Sequence, residues 1–207
     1  MVSIMKLIKN GAALGIRGPG RPRDEEARRR ILDAAIELLE EVGFGSATVE
    51  AIAERAGASK ATVYRWWPNK ASVLTEAFRD TWAPDLAFPD TGSLREDIYD
   101  QLRRFSAFLI TRKGRLLAAL VAAAQQDEEM ATALREVWIA PLRAVSGKVL
   151  GRYRASGELA VDVDLVQDLI YAPFYYQLLT GYKPLTRAYA DAIADAVLAG
   201  VMRGNVA

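Results

Sequence analysis

Apolar residues recur through most of the chain at spacings of three and four, which places them along one side of an α-helix. The first such stripe consists of Ile31, Ala34, Ala35, Leu38, Leu39 and Val42. The acidic residues at 24–26 suit the positive end of a helix dipole, and Gly43 is a typical helix stop. The pattern therefore predicts a first helix from about residue 24 to residue 42.

Three further helices are predicted directly after the first. Two short ones cover 48–56 and 59–67, and Ser59 is the expected N-cap of the second of them. Pro68 ends that helix, because proline disfavours helical geometry in the residue before it. A longer helix then covers 69–83.

Residues 84–92 hold two prolines and a glycine, which predicts a linker. Five more helices are expected beyond it, and Ser93 with Glu96 forms a capping box for the first of them. The third of these helices spans about 128–155, and Pro141 is expected to kink or interrupt it. The chain is therefore predicted to be all-α, with about nine helices and no strand.

Two further local signals predict where helices of the larger domain begin. Gly114 is expected to precede an apolar helix. Asp164 with Gln167 resembles a capping pair for the helix that ends at Gly181.

The predicted helices at 48–57 and 59–67 have the spacing of a helix-turn-helix, because Gly57 permits a tight turn between steeply crossing helices. The second helix presents outward side chains of the types found in a major groove: Lys60, Ala61, Thr62, Tyr64, Arg65 and Trp66. Basic side chains can donate to guanine or phosphate, and threonine or alanine can contact a thymine methyl group. The spacing alone also fits an ordinary pair of packed helices.

Composition narrows the chemistry that the chain can perform. There is no cysteine and no histidine, which excludes disulfides, thiolate and imidazole metal sites, and catalysis by either side chain. Hydrophobic residues make up 51% of the chain, enough for a sizeable core. No apolar run approaches the length of a membrane span, and no secretory signal is recognisable, so a cytoplasmic protein is expected.

The formal net charge is only +1, but its distribution is uneven. Residues 1–23 contain five basic side chains and no acidic one, and Arg21 and Arg23 are the last of these. The chain is therefore divided into a flexible basic N-terminal arm at 1–22, a helix-turn-helix domain with its connecting helix at 23–83, and a larger helical domain at 84–207.

The stretch at 48–74, TVEAIAERAGASKATVYRWWPNKASVL, resembles the DNA-binding signature of the TetR family of transcriptional regulators. The resemblance extends over about 27–78. Two segments of the larger domain, at 134–141 and 169–179, are similar to one subgroup of the family's effector domains, and the arm at 18–23 is similar to its basic lead-ins. This resemblance implies a dimer that binds double-stranded DNA.

The resemblance also implies roles for individual residues. Phosphate contacts are expected from Thr48, Tyr64 and Lys70, and Trp67 is expected in the core. Trp66 either packs on the sugar–phosphate backbone or caps the domain. The residues expected to face base edges, together with the N-cap beside them, are Ser59, Lys60, Ala61, Thr62 and Arg65. Arg21 and Arg23 either enter a flanking minor groove or form a solvated tail.

The last two helices are the predicted dimer interface. The final helix is rich in alanine, which permits close approach of a second helix, and its neighbour at 165–180 is apolar around most of its circumference. The alternative is that both are core helices of a monomer. A two-fold dimer would hold two recognition helices about one DNA turn apart and would select a palindromic operator.

Aromatic and aliphatic residues of the larger domain predict a pocket for an unknown small-molecule effector, apolar or aromatic. Ordinary core packing is the alternative for each of them. The ten predicted pocket residues are Phe78, Trp82, Phe105, Leu109, Leu117, Val121, Trp138, Leu142, Phe174 and Tyr175. The resemblance implies that the effector shifts the connecting helix at 69–83 and so changes the separation of the recognition helices.

The sequence fits three functions unequally well. The leading prediction is a homodimeric repressor that an effector releases from its operator. The alternative is a DNA-binding dimer without an effector, controlled by a protein partner. An enzyme is the third, and it is disfavoured because the carboxylates lie mostly on polar faces and helix ends. No catalytic residue, cofactor, metal or membrane contact is predicted.

Overall fold

The structure is a computed structural model that describes residues 22–202, with side chains from Glu25 onward. Its N-terminal part contains four helices, as the hydrophobic pattern predicts. They are α1 (Pro22–Ser46), α2 (Val49–Arg55), α3 (Lys60–Trp66) and α4 (Lys70–Trp82).

Local caps set the ends of these helices. Gly43 has φ 74° and ψ 173°, which breaks α1 at the predicted stop. The side chains of Thr48 and Ser59 accept hydrogen bonds from the first turns of α2 and α3. Asn69 and Ser72 form a reciprocal capping box at the start of α4.

The larger part begins with a 3₁₀ turn (Ala83–Leu86). Its regular elements, among residues 22–202 that the structure describes, are all helical. The elements after this turn are α5 (Leu94–Leu109), α6 (Arg112–Ala124), α7 (Glu128–Ala133), a π-helical turn (Leu134–Ile139), α8 (Ala140–Ser156), α9 (Val163–Thr180) and α10 (Arg187–Val201). The only extended pairing in this range is an isolated bridge between Leu159 and Met202. The all-α prediction is confirmed, with nine helices when α7, the π turn and α8 are counted as one.

Pro141 does not end the long helix. The π turn lies just before it, and the Ala140 N–H donates to the Arg135 carbonyl, five residues back. Proline has no N–H to donate, and in a regular α-helix its ring would crowd the carbonyl four residues back. The wider π turn accommodates it while the helix continues to Ser156.

One hydrophobic core runs through both parts of the molecule. Leu86 and Phe88, inside the predicted linker, are 4% and 3% exposed, so this segment packs on the core rather than bridging two separate bodies. Helix α4 packs against α1 on one side and against α7 and the π turn on the other. It is therefore shared by the two parts.

Two of the local sequence signals differ from the structure. Gly114 lies inside the first turn of α6 instead of before it. The N-cap of α9 is Asp162, not Asp164, because the Asp162 carboxylate accepts from the Asp164 N–H. Gln167 is buried and donates to the Arg143 carbonyl at 2.8 Å and to Ser146 Oγ at 2.7 Å.

Candidate functional site

Short-range contacts build the turn between α2 and α3. Thr48 Oγ1 accepts from the Ala51 N–H at 3.1 Å, and Ser59 Oγ accepts from the Thr62 N–H at 3.0 Å. Gly57 has φ 60°, in the left-handed region that favours glycine. The two helices are thereby joined by a turn of four residues, 56–59, between helical segments.

Helix α3 has one buried and one exposed side. Val63 is in the core, and so is Trp67, as predicted. The opposite side is open to solvent, with Tyr64 50% exposed and Trp66 36% exposed. This side brings together all the predicted DNA-facing residues of the helix, which are Ser59, Lys60, Ala61, Tyr64, Arg65 and Trp66 in exposed positions and Thr62 in a half-buried one.

Lys60 already has an ionic partner. Its Nζ lies 2.6 Å from Glu50 Oε1 on α2, and this hydrogen bond lowers the pKa of the Glu50 carboxyl below its ordinary value. To reach a base edge, Lys60 must leave Glu50. This pairing joins two residues on different helices, and the sequence pattern gave no indication of it.

Lys70, an expected phosphate ligand, is turned toward α1. Its Nζ donates to the Phe44 carbonyl at 3.0 Å and to the Gly45 carbonyl at 3.5 Å, and it lies 4.4 Å from the centre of the Phe44 ring. In this structure its ammonium group therefore holds the end of α1 against the start of α4.

A cluster of charged and aromatic residues connects α3, α1 and α4. Trp67 Nε1 donates to Glu76 Oε2 at 2.6 Å, and Arg28 also pairs with Glu76. The Arg28 guanidinium lies about 6 Å from the ring centres of both Trp66 and Trp67. The position of Trp66 beside Arg28 favours the capping role for its indole. Arg79 extends the cluster, because its guanidinium is 3.5 Å from Glu76.

Arg21 and Arg23 were expected either in a flanking minor groove or in a solvated tail. Arg21 and the side chain of Arg23 lie outside the described residues.

The larger part contains a cavity of about 390 Å³, within the size range of small-molecule sites. It is bounded by the end of α4, the 3₁₀ turn with the segment after it, α5, the π turn with the start of α8, and α9. The lining residues are Arg79, Ala83, Leu86, Ala87, Phe88, Gln101, Phe105, Trp138, Ile139, Pro141, Leu142, Arg143, Val145, Ser146, Gln167, Asp168, Tyr171, Ala172 and Tyr175.

Four of the ten predicted pocket residues line this cavity: Phe105, Trp138, Leu142 and Tyr175. The other six pack elsewhere in or against the core: Phe78, Trp82, Leu109, Leu117, Val121 and Phe174. Phe78 illustrates why, since its ring contacts those of Trp82 at 4.5 Å and Trp138 at 4.8 Å and is fully enclosed between them. Apolar character does not distinguish a wall of the cavity from the core behind it.

Sequence reasoning missed most of the polar residues of the cavity, which are Arg79, Gln101, Arg143, Ser146, Gln167, Asp168 and Tyr171. A signal for one of them was present. Gln101 lies beside Ile98, Leu102 and Phe105 on the apolar stripe of α5, where a glutamine is out of place in a plain core helix.

Comparisons with known proteins match both parts of the chain. Residues 31–77 match a family model described as bacterial regulatory proteins of the tetR family, and residues 88–197 match one described as a tetracyclin repressor-like C-terminal domain. The chain belongs to the TetR family of transcriptional regulators.

The relatives of this TetR-family chain are similar over most of their length. It is 39% identical over 184 residues to the HTH-type transcriptional regulator YdeS of Bacillus subtilis (strain 168), covering 88% of this chain and 93% of YdeS. It is 30% identical over 189 residues to a DNA-binding transcriptional repressor TetR of Mycobacteroides abscessus, covering 87% and 96%. The crystal structure of the TetR family transcription regulator SCO0332 superposes with a TM-score of 0.76 at 36% identity, covering 85% and 98%.

TetR-family regulators bind DNA and act as dimers, and this chain carries an exposed apolar stripe suited to a dimer contact. Leu165, Leu169, Tyr176 and Leu179 lie on one side of α9 and are each 42–56% exposed. On α10, Ala190 and Ala194 are in the core, whereas Ala188, Ala192, Ala196 and Ala199 face solvent. Along residues 22–202, no helix combines the length and apolar character needed to cross a bilayer.

Proposed function

We propose that this TetR-family protein is a homodimeric repressor, released from a palindromic operator when a small apolar or aromatic effector occupies the cavity. The observation that carries the proposal is the position of α4. The C-terminal end of this helix contributes Arg79 to the cavity wall, and the residue one turn earlier, Glu76, binds Trp67 at the end of α3. Because its site of action is DNA, we expect this protein in the cytoplasm.

The exposed side of α3 supports the DNA-reading role. Lys60 and Arg65 are its basic residues, and the side chain of Tyr64 is 50% exposed on the same helix. We expect Tyr64→Phe to weaken binding to operator and random DNA by the same factor, because a phosphate contact carries no sequence information. Lys60→Ala should instead relax sequence choice at one position in each half-site. Unchanged selected sequences with Lys60→Ala would remove Lys60 from the base-reading residues.

The apolar stripe on α9 and the exposed alanines of α10 support dimerisation through the last two helices. Large apolar side chains at regular helical spacing rarely remain in water on a stable monomer. Small side chains on the neighbouring helix allow the backbone of a second copy to approach closely. The same surface on both copies satisfies the self-complementarity that a two-fold axis demands.

The coupling between cavity and DNA follows from α4 belonging to both parts. An effector that contacts Arg79 or the adjacent Ala83 acts on the end of the helix whose start is tied to α1 by Lys70. It releases DNA only if it binds the DNA-incompetent arrangement more tightly than the competent one. The cavity also weighs against the alternative of a dimer controlled only by a protein partner.

The decisive experiment is selection of binding sites from random duplex DNA by the purified protein, followed by sequencing. We expect an enriched palindrome whose half-site centres are about one DNA turn, roughly 34 Å, apart. Enrichment of a single unrepeated site would contradict the dimeric reader. An absence of any enriched sequence at low salt would overturn sequence-specific binding by the protein on its own.

A further inference from the structure

Gln101 is a buried amide in the cavity wall with one unused hydrogen-bonding atom. It is 1% exposed, and its Nε2 donates to the Leu86 carbonyl at 3.3 Å and to the Tyr171 hydroxyl at 3.1 Å. A backbone carbonyl can only accept, so the atom facing Leu86 must be the nitrogen. Gln101 Oε1 is consequently left without a partner among the described residues.

Two phenols beside Gln101 have hydrogens to donate. The Tyr171 oxygen accepts from Gln101, and the Tyr175 oxygen accepts a long hydrogen bond of 3.5 Å from Trp138 Nε1. Neither phenolic hydrogen has an acceptor within residues 22–202. Burial raises the pKa of both phenols above the ordinary value, so each is an uncharged donor at neutral pH.

Each charged residue of the cavity wall is paired with a nearby residue of opposite charge. Arg143 pairs with Asp168 at 2.6 Å and with Asp164 at 3.1 Å. Arg79 pairs with Asp80 at 2.6 Å and lies 3.5 Å from Glu76. No cation of the described wall is therefore left to pair with a bound carboxylate, and burying an unpaired ion is costly.

Three aromatic rings line the same cavity as Gln101. The ring of Phe105 lies 5.2 Å from that of Tyr171 and 5.8 Å from that of Tyr175, centre to centre. A planar ring bound against them in the cavity would make aromatic contacts of the same kind.

We propose that the cavity binds an uncharged hydroxylated aromatic compound, whose hydroxyl group donates to Gln101 Oε1 and accepts from the Tyr171 phenol. A hydroxyl satisfies both atoms at once, because it donates its hydrogen and accepts at its oxygen. This assignment rests on the proposed function, in that the compound would be the effector.

Isothermal titration calorimetry with three compounds of one ring system tests the assignment. The DNA-free protein is titrated with 2-naphthol, with 2-methoxynaphthalene, which accepts but cannot donate, and with 2-naphthoate, which is charged. We expect 2-naphthol to bind at least about tenfold more tightly than either analogue, a factor typical of one satisfied buried polar group. Equal affinity for the ether, tighter binding of the carboxylate, or no saturable binding of 2-naphthol up to about 1 mM would overturn the proposal.

Variants locate the preference within the cavity. Gln101→Leu should abolish the advantage of 2-naphthol over its methyl ether, and Tyr171→Phe, which keeps Gln101 bonded to Leu86, should reduce it. The matched control is Gln177→Leu, since Gln177 is a buried glutamine of α9 outside the cavity lining. A preference that survives Gln101→Leu and Tyr171→Phe would overturn the assignment.

Release of the selected operator is measured separately, by fluorescence anisotropy with and without 2-naphthol. Calorimetric binding without release would leave the ligand assignment standing and contradict the effector-released repressor. Release by 2-naphthoate or the ether, with no advantage for the naphthol, would support the repressor and overturn the ligand assignment.

Discussion

Asp97 is a carboxylate in the core of the larger part, and it accepts three hydrogen bonds from neighbouring residues. It is 0% exposed, and its Oδ1 accepts from the Thr91 N–H at 2.9 Å and the Thr91 hydroxyl at 2.8 Å. Its Oδ2 accepts from the Tyr153 hydroxyl at 2.6 Å. The carboxylate thereby links the segment before α5 to the C-terminal end of α8.

We predict that Asp97→Ala lowers the free energy of unfolding by about 3 kcal/mol, because it removes the acceptor of three hydrogen bonds, one of them from the buried Tyr153 hydroxyl. Urea unfolding followed by circular dichroism measures this change. Asp85→Ala is the control, since Asp85 forms an exposed ion pair with Lys113 and its loss should cost less than about 1 kcal/mol. Equal costs for the two variants would show that the Asp97 network contributes no special stability.

Gly114 is required by a close approach of two backbones. A Cβ atom at this position would lie 2.0 Å from the Leu109 carbonyl oxygen, which cannot move without shifting the end of α5. We predict that Gly114→Ala destabilises the protein by about 1–3 kcal/mol, the cost of overpacking a core. The contrasting variant is Gly151→Ala, a helical site with no atom within 4 Å of the new Cβ.

Gly151→Ala should stabilise the protein by about 1 kcal/mol, because alanine is the better helix former. Thermal unfolding of both variants tests the pair, and midpoints that shift in the same direction would contradict the steric argument at Gly114.

At the scale of single residues, the sequence located the break at Gly43 and the cap at Ser59, but it misplaced Gly114 and the cap of α9. The caps at Thr48, Ser59 and Asn69 all depend on neighbours one turn away, and of these the cap at Ser59 was predicted. The partners of Lys60 and Lys70 come from other helices, and no spacing rule reports them. The same limit explains why a Gln on an apolar stripe could be noticed, but its unpaired oxygen could not.

Helix α4 is the element on which communication between the two parts depends. Glu76 lies in its middle and binds Trp67 and Arg28, so it ties the recognition helix and α1 to the helix that reaches the cavity. The sequence predicted this helix at 69–83 from its apolar side, one residue longer at each end than the observed α4. Its double packing became visible only in three dimensions.

We predict that Glu76→Gln weakens operator binding about tenfold or more while leaving the affinity of the cavity for 2-naphthol within about twofold. The amide keeps the size of the side chain but loses the charge that pairs with Arg28, so α3 is held less firmly. Anisotropy with operator DNA and calorimetry with 2-naphthol provide the two measurements. Glu40→Gln, an exposed acid on α1, is the control. Unchanged operator binding by Glu76→Gln would mean that Glu76 does not position α3.

The π turn is an element that the sequence did not predict. Pro141 signalled a disturbance of the long helix, and the outcomes considered were a kink or an interruption. The chain instead inserts a wider turn, which keeps α7 and α8 continuous and places Trp138 in the core at the edge of the cavity. Whether a proline is accommodated by bending or by widening depends on the packing around it, which periodicity does not encode.

At the scale of the whole molecule, α9 presents an exposed apolar side. Its exposed leucines and tyrosine form a stripe that no other part of residues 22–202 covers, while the alanines of α10 leave room beside it. Two copies related by a two-fold axis would bury both features together. They would also set the spacing of two recognition helices, so that dimer formation and operator binding are linked.

We predict that Leu169→Arg converts the protein into a monomer that is folded but binds the full palindrome no more tightly than an isolated half-site. Leu169 is 42% exposed, so a monomer accommodates arginine there, whereas a second copy would have to bury its charge unpaired. Sedimentation equilibrium gives the mass, and anisotropy with full and half operators gives the affinities. Ile110→Arg is the matched control, because Ile110 is a 61% exposed apolar residue just beyond α5 and away from the stripe, and this variant should remain a dimer. If Leu169→Arg stays dimeric while Ile110→Arg does not, the two-fold contact lies near the end of α5 and the recognition helices are held by a different surface.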